Sequence, residues 1–141
     1  MFIGQYQTKV DSKGRTALPA KFKRILGGKI IVTAGYENSL MIVGFKDWQA
    51  VVGQVTNQGL ALGPSRATDR FLLGGAFEVE PDRLGRFIIP KVLRDYASIE
   101  GDAVFVGVGN RIELWALPLW QDYQKYLKDN ISELGERLAA K

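Results

Sequence analysis

The sequence predicts an α+β, β-rich fold in which two similar halves interleave their strands around a pseudo-two-fold axis, followed by a C-terminal helix. The chain has 141 residues, a length that suits one ordinary domain or two very small ones. The pattern Asp-x-x-Gly-Arg occurs at residues 11–15 and again 71 residues later, at residues 82–86. Each half is too short for a good core of its own, because burial is poor below about 60 residues. We therefore expect the two halves to share one core.

The internal repeat extends beyond these five residues. A proline stands four residues after the arginine in both copies, as Pro19 and Pro90, and a mostly apolar triplet lies between them. With one added residue, Trp48 and the glutamine after it match Trp120 and its glutamine. These matches predict a first repeat at 5–57, a connecting helical segment at 58–75, a second repeat at 76–128 and a helical C-terminal extension at 129–141.

Both halves are predicted to contain the same elements in the same order. A strand enters a turn in which Asp at the first position and Gly at the fourth suit a type I turn. A second strand leaves at the arginine, and the proline, which cannot donate to a strand ladder, starts a short helix. Two apolar runs then predict a hairpin, and a helix follows. The predicted strands are 6–10, 30–34, 40–45, 77–80, 103–108 and 112–116, and the predicted helices are 19–26, 47–55, 65–73, 90–97 and 119–130.

An apolar stripe is predicted near the C-terminus. Leu127, Ile131, Leu134 and Leu138 are spaced by four, three and four residues, which places them on one face of a helix. Such a face is buried against the body of the protein or against another subunit. We expect packing on the protein's own chain.

The composition excludes several kinds of chemistry. The chain contains neither Cys nor His, so disulfides, Cys/His zinc sites, thiol nucleophiles and histidine general bases are ruled out. The start of the chain lacks the basic and apolar regions of a signal peptide, and no apolar run approaches the ~20 residues of a membrane helix. We expect a cytoplasmic protein that does not interact with membranes.

Positive charge is concentrated in the first half of the chain. The net charge is +4, but residues 1–70 contribute +6 and the remainder −2. Between residues 9 and 29, seven basic residues accompany a single acid, Asp11. A charge run of this kind is either a solvated surface or part of a nucleic-acid footprint, which needs the charges gathered on one face.

The duplicated turns are the candidate DNA-binding site. Arg15 and Arg86 either form ion pairs within their turns or present guanidinium groups, which hold a phosphate or the O6/N7 edge of guanine with two parallel hydrogen bonds. The two interpretations are compatible, because an aspartate can orient the arginine before DNA arrives. The residues predicted to form the turns are Asp11, Gly14, Asp82 and Gly85. The predicted contacts to flanking phosphates are Lys13 and Arg83 in the turns, and then Lys9, Lys21, Lys23 and Arg24.

Two other functions compete with DNA binding. Asp11 and Asp82, related by the repeat, resemble a carboxylate pair that shares a proton in an enzyme. Their basic neighbours favour ionisation of both groups, and Asp is common at this turn position for local reasons, so we predict no catalysis and no catalytic residues. The second alternative is an oligomeric scaffold whose basic patch binds an acidic protein without binding DNA.

The chain resembles the MraZ family of bacterial transcriptional regulators. The resemblance rests on the start Met1-Phe2-Ile3-Gly4, on the two Asp-x-x-Gly-Arg turns with their prolines, and on Arg66 and Arg70 before the segment Gly74-Gly75-Ala76. It covers nearly the whole chain. It implies two AbrB-like halves of a swapped-hairpin barrel joined in one chain.

The resemblance also implies a function and partners. It implies a nucleoid-associated homo-oligomer, with a ring as the expected form, that binds repeated short sites in double-stranded DNA. These sites lie upstream of the division and cell wall gene cluster, including the protein's own promoter, and binding usually represses. Arg15 and Arg86 are then the DNA-contacting arginines, and no cofactor, metal or small-molecule ligand is expected. Glu78, Glu80 and Asp82 surround Arg86, so we expect its DNA contact to be weaker than that of Arg15.

Overall fold

The two halves contain the same elements in the same order. The computed structural model describes residues 1–56, 60 and 62–140. The first half comprises β1 (Phe2–Val10), β2 (Arg15–Ala17), α1 (Ala20–Leu26), β3 (Ile30–Ala34), β4 (Leu40–Gly44) and α2 (Trp48–Thr56). A connecting helix, α3 (Gly63–Leu72), follows. The second half comprises β5 (Phe77–Val79), β6 (Arg86–Ile88), α4 (Lys91–Ala97), β7 (Gly101–Gly109), β8 (Ile112–Ala116) and α5 (Leu117–Ala139).

The strands are exchanged between the halves. One sheet has the order β1-β7-β8-β4-β3-β5, and a second sheet pairs β2 with β6. The first strand of each half is antiparallel to the third strand of the other half, β1 to β7 and β5 to β3. The fourth strands pair with each other, as do the second strands. The predicted fold class, α+β with two interleaved repeats and a C-terminal helix, is confirmed.

The core lies between the strands contributed by both halves. Side chains from β3, β4, β7 and β8 meet there with one aromatic residue from the short helix α1, Phe22, which packs edge-on against Phe2 and Tyr6. Two smaller clusters cover the outer faces of the sheet, one beneath α2 and α3 and one beneath the start of α5. Because residues of both halves fill one cluster, neither half has a complete core of its own.

Strand β1 begins four residues earlier than its predicted start. It pairs with β7 over its whole length, from Phe2 opposite Gly109 to Val10 opposite Gly101. This pairing joins residues about 100 positions apart in the chain, so the local pattern around residues 2–5 does not indicate it.

Helix α5 is longer than predicted and its apolar stripe is not buried on its own chain. It runs without interruption through the predicted boundary at 128/129, and Pro118 lies in its first turn. Trp120 and Tyr123 attach its first turns to the sheet. Ile131 and Leu138 are 59% and 72% exposed, so the prediction that the stripe packs on the protein's own chain is wrong.

The predicted repeat boundaries stay predictions. The one at 57/58 lies outside the described residues in part, because residues 57–59 and 61 are not described, and Lys141 of the predicted extension is not described either. Among the described helices, none has the combination of length and apolar character needed to cross a membrane.

Candidate nucleic-acid interface

The first turn is organised by the carboxylate of Asp11. Its Oδ1 accepts hydrogen bonds from the backbone N–H groups of Lys13 and Arg15, at 3.0 and 2.9 Å. Its Oδ2 accepts from Nε of Arg15 at 2.6 Å. The backbone N–H of Gly14 donates to the Asp11 carbonyl at 2.9 Å, which closes the turn. One carboxylate thus fixes both the backbone of the turn and the orientation of the guanidinium group.

The second turn repeats this geometry atom for atom. Oδ1 of Asp82 accepts from the backbone N–H groups of Leu84 and Arg86, both at 2.9 Å, and Oδ2 accepts from Nε of Arg86 at 2.6 Å. The Gly85 N–H donates to the Asp82 carbonyl at 2.9 Å. Two sequences with different residues at the second and third turn positions therefore form the same arginine-presenting turn.

The two aspartates are held in the ionised form. The backbone N–H of Arg15, followed by its side chain, lowers the pKa of the Asp11 carboxyl. The same groups of Arg86 lower the pKa of Asp82. A pair that shares a proton needs one raised pKa, and here each carboxylate pairs instead with its own arginine. This arrangement suits orientation of the arginines rather than acid–base catalysis.

The two arginines lie on one face of the ribbon formed by β2 and β6. In this antiparallel pair Arg15 is opposite Ile88 and Ala17 is opposite Arg86. Residues opposite each other, and residues two apart along a strand, point to the same side. Those four residues therefore form one face, which is exposed, whereas Thr16 and Phe87 on the other face are buried.

The terminal guanidinium nitrogens remain available on this face. The side chains of Arg15 and Arg86 are 61% and 65% exposed. Each uses Nε for its aspartate, and within the described part of the chain Nη1 and Nη2 of both arginines make no hydrogen bond. The intraturn ion pairs expected as one interpretation therefore form, and they leave the outer edge of each guanidinium open.

Each turn is supported by the other half of the chain. The backbone N–H of Ile89 donates to the Gly14 carbonyl, and that of Leu18 donates to the Gly85 carbonyl, both at 2.9 Å. These bonds lock the two turns to the ends of the same ribbon. The relative position of Arg15 and Arg86 is therefore set by backbone pairing.

A cation that the sequence interpretation missed also supports the first turn. Nε of Arg94, in α4, donates to the Ile89 carbonyl at 2.9 Å, and its Nη1 lies 3.4 Å from the Ser12 carbonyl. Lys23, which is 71 residues earlier, lies in the same way against Gly85 of the second turn. The repeat offset was the signal that pairs Arg94 with the predicted residue Lys23.

The other predicted basic residues surround the ribbon unevenly. Lys13 and Arg83 are exposed in the two turns, and Lys21 and Arg24 are exposed on α1. Lys9, at the end of β1, lies 3.7 Å from Asp102. An open groove between the ribbon and the ends of β1 and β5 is lined by Lys9 and both turn arginines.

Acidic residues occupy the side of the groove that belongs to the second half. Glu78, Glu80 and Asp82 line it together with the arginines. Lys29 partly neutralises Glu78, at 3.6 Å. The positive potential is therefore greatest beside the first turn.

The chain was compared with known proteins. It matches the family model described as "MraZ protein, putative antitoxin-like" twice, over residues 1–71 and 72–140. The second match begins 71 residues after the first, which equals the offset between the two turns. The chain belongs to the MraZ family. The resemblance noted in the sequence is thereby confirmed.

Individual MraZ relatives match over nearly their full length. The chain is 39% identical over 138 residues to a protein named "Transcriptional regulator MraZ" from Caldanaerobacter subterraneus subsp. tengcongensis, covering 98% of this chain and 96% of the relative. Proteins of the same name from a Thermoanaerobacter species and from Natranaerobius thermophilus are 38% and 36% identical over the same coverage.

Proposed function

We propose that this MraZ-family chain is a sequence-specific DNA-binding transcriptional regulator whose β2–β6 ribbon enters the major groove of duplex DNA. The observation that carries the proposal is the common exposed face on which both turn arginines lie, each clamped by its aspartate through Nε. The names of the relatives support the regulatory role. The major groove of B-DNA admits a two-stranded β-ribbon.

The clamp explains how a short ribbon achieves specificity. An arginine held at Nε keeps Nη1 and Nη2 for a bidentate contact with guanine O6 and N7, worth about 1–3 kcal/mol of discrimination. Because the aspartate fixes the side chain before DNA arrives, less rotamer entropy is lost on binding. The other cations, among them Lys13, Arg83, Lys21 and Arg24, would contact phosphates, which fix the register without specifying bases.

The charge distribution makes the first turn the stronger contact. Lys13 and the basic residues of α1 accompany Arg15, whereas Glu78 and Glu80 line the groove beside Arg86. Phosphates are repelled by these carboxylates. We therefore assign the larger share of the binding energy to Arg15.

The test is a gel-shift titration with the DNA directly upstream of the protein's own reading frame. Arg15→Ala should weaken binding about 5- to 150-fold, the equivalent of one lost bidentate contact per subunit. Arg137→Ala, which removes the same charge from an exposed position of α5, should bind nearly as the wild type does. Equal binding by Arg15→Ala and wild type would refute the proposal.

A second variant separates charge from geometry. Arg15→Lys keeps the positive charge but loses the fork that makes bidentate contacts. It should retain the salt dependence of binding, which reports phosphate contacts, while discriminating poorly between operator and unrelated duplex. Failure of the wild type to shift any duplex at low salt, combined with stable capture of an acidic protein, would instead favour the scaffold alternative.

We further propose that several copies act together as a closed ring on repeated promoter sites. One ribbon offers few contacts, and linkage of several weak contacts raises affinity through effective concentration. A heterologous interface that closes generates a ring. Repression of its own promoter and of the division and cell wall gene cluster, and association with the nucleoid, would follow from occupancy of such sites.

The exposed stripe on α5 is the surface that supports self-association. The helix face that buries Trp120 against the sheet continues as Leu127, Ile131, Leu134 and Leu138, which are exposed or half-buried. Exposed apolar stretches of this kind mark interaction sites, and a second copy is the occupant that the ring requires.

Light scattering after size-exclusion chromatography tests the assembly. Ile131→Asp should lower the molar mass of the assembly, whereas Ser132→Asp, one residue further along the exposed helix, should not. An unchanged mass for Ile131→Asp, or a monomeric wild type at micromolar concentration, would contradict the ring.

A further inference from the structure

The exposed face of the ribbon carries one large apolar side chain among its arginines. Ile88 is 57% exposed and lies directly opposite Arg15 in the β2–β6 pair. The residue before it, Phe87, is 5% exposed and belongs to the core. A single exposed apolar residue is ordinary on a protein surface. Ile88 differs because it occupies the same small face as the two clamped guanidinium groups.

We infer that Ile88 recognises the C5 methyl group of a thymine next to the base that Arg15 contacts. This inference rests on the proposed function and names a further specificity-determining residue for it. In the major groove thymine alone presents a methyl group, and apolar side chains discriminate it by contact. Isoleucine is branched at Cβ and has few rotamers, so its methyl groups are presented in a defined position without a hydrogen-bond partner.

The register of the ribbon places the two contacts close together. Side chains directly opposite each other on an antiparallel pair have Cβ atoms about 4.5–5.5 Å apart. Successive base pairs are about 3.4 Å apart along the duplex. Arg15 and Ile88 therefore face the same base pair or adjacent base pairs, whereas Arg86, on the diagonal, lies about 7–8 Å away, or roughly two base-pair steps.

The pseudo-symmetry of the ribbon is broken at this contact. The residue equivalent to Ile88 in the first half is Ala17, 71 positions earlier, which lies opposite Arg86. Alanine offers one methyl group on a short stem and reaches less far into a groove. The thymine contact therefore accompanies the first turn and not the second, which gives each short DNA site a direction.

The experiment compares two forms of one duplex. The DNA directly upstream of the reading frame is prepared once with thymine and once with deoxyuridine at every thymine position, which removes only the methyl groups. Wild type should bind the thymine form about fourfold more tightly for each methyl group buried against Ile88. Ile88→Ala should lower this ratio by the same factor. Val92→Ala, an equally conservative change at a residue of α4 that is 63% exposed and outside the ribbon, should keep the wild-type ratio.

The outcomes separate the inference from the proposed function. If wild type and Ile88→Ala show the same ratio, the methyl contact is refuted, while the loss of binding in Arg15→Ala still supports the regulator. If Val92→Ala lowers the ratio as much as Ile88→Ala, the effect is not specific to the ribbon face and the inference is equally refuted. If wild type shifts neither duplex, the proposed function itself fails. Circular dichroism melting curves of both variants establish that the fold is retained.

Discussion

Replacement of the turn glycines by alanine tests whether the two turns are supported as the coordinates indicate. Gly14 and Gly85 have φ angles of +87° and +81°, a region that costs a residue with a side chain about 1–2 kcal/mol. This cost is common to Gly14→Ala and Gly85→Ala. Because the turns repeat the same hydrogen bonds, any difference between the variants must come from what surrounds the new methyl group.

The surroundings differ sharply between the two positions. A Cβ atom on Gly14 would lie 2.7 Å from the Ile89 carbonyl oxygen and 2.5 Å from Nε of Arg94. On Gly85 the corresponding distances are 3.2 Å to the Leu18 carbonyl oxygen and 3.3 Å to Cδ of Lys23. The first position forces a backbone group to move and the second needs only a small adjustment. Overpacking of this kind typically costs about 1–3 kcal/mol, which is the expected difference in stability.

Urea denaturation followed by circular dichroism, at one protein concentration, measures the free energy of unfolding of both variants. Gly14→Ala should be less stable than Gly85→Ala by about 1–3 kcal/mol. Gly135→Ala, in an exposed stretch of α5 with no atom near the new methyl group, should raise stability by about 0.5–1 kcal/mol. If Gly14→Ala were as stable as Gly85→Ala, the contact of Arg94 and Ile89 with the first turn would be refuted.

Three further variants test individual bonds. Because Arg15 lowers the pKa of Asp11 below 3.8, the carboxylate stabilises the fold above that pH and the effect is lost as the pH falls through the lowered value; Asp11→Asn should therefore be less stable than wild type near neutral pH, and the gap should close in titrations below pH 3.8. Thr33→Val should cost about 1–3 kcal/mol in urea unfolding, since it leaves the buried Leu72 carbonyl without its 2.8 Å hydrogen bond. Trp120→Phe should lower the melting temperature by removing the indole N–H that donates to a glutamine of β1 at 3.1 Å, a net loss of about 1 kcal/mol.

The local features of this fold were predictable from the sequence because short-range chemistry determines them. Asp at the first turn position and Gly at the fourth predict the turn, and the structure forms it twice with the same hydrogen bonds. The strands at 30–34 and 112–116 were predicted with their observed bounds, since each is a continuous apolar run that is almost entirely buried. The repeat offset predicted that both halves have the same elements in the same order.

The missing features depend on contacts between distant parts of the chain. Arg94 was not recognised as a turn residue, because its contact with Ser12 joins positions 82 residues apart. The role of Ile88 depends on the register of β2 against β6, since a shift by one residue would turn its side chain toward the core. The exposure of Ile131 depends on where the sheet ends beneath α5, which the spacing of apolar residues along a helix does not reveal.

The exchange of strands has a consequence for recognition that neither half provides alone. Arg15 and Arg86 belong to turns that were separated by 71 residues of chain, yet their spacing is set by three opposed residue pairs of one ribbon and by the bonds from Leu18 and Ile89 to the turn glycines. A ribbon formed within one chain keeps this spacing at any protein concentration, whereas a ribbon formed by two separate chains would lose it on dissociation. Fusion of the halves also permits the two turns to diverge, one toward a basic surface with an isoleucine beside its arginine and the other toward an acidic one. The asymmetry needed to give a DNA site direction therefore arises from the same duplication that builds the fold.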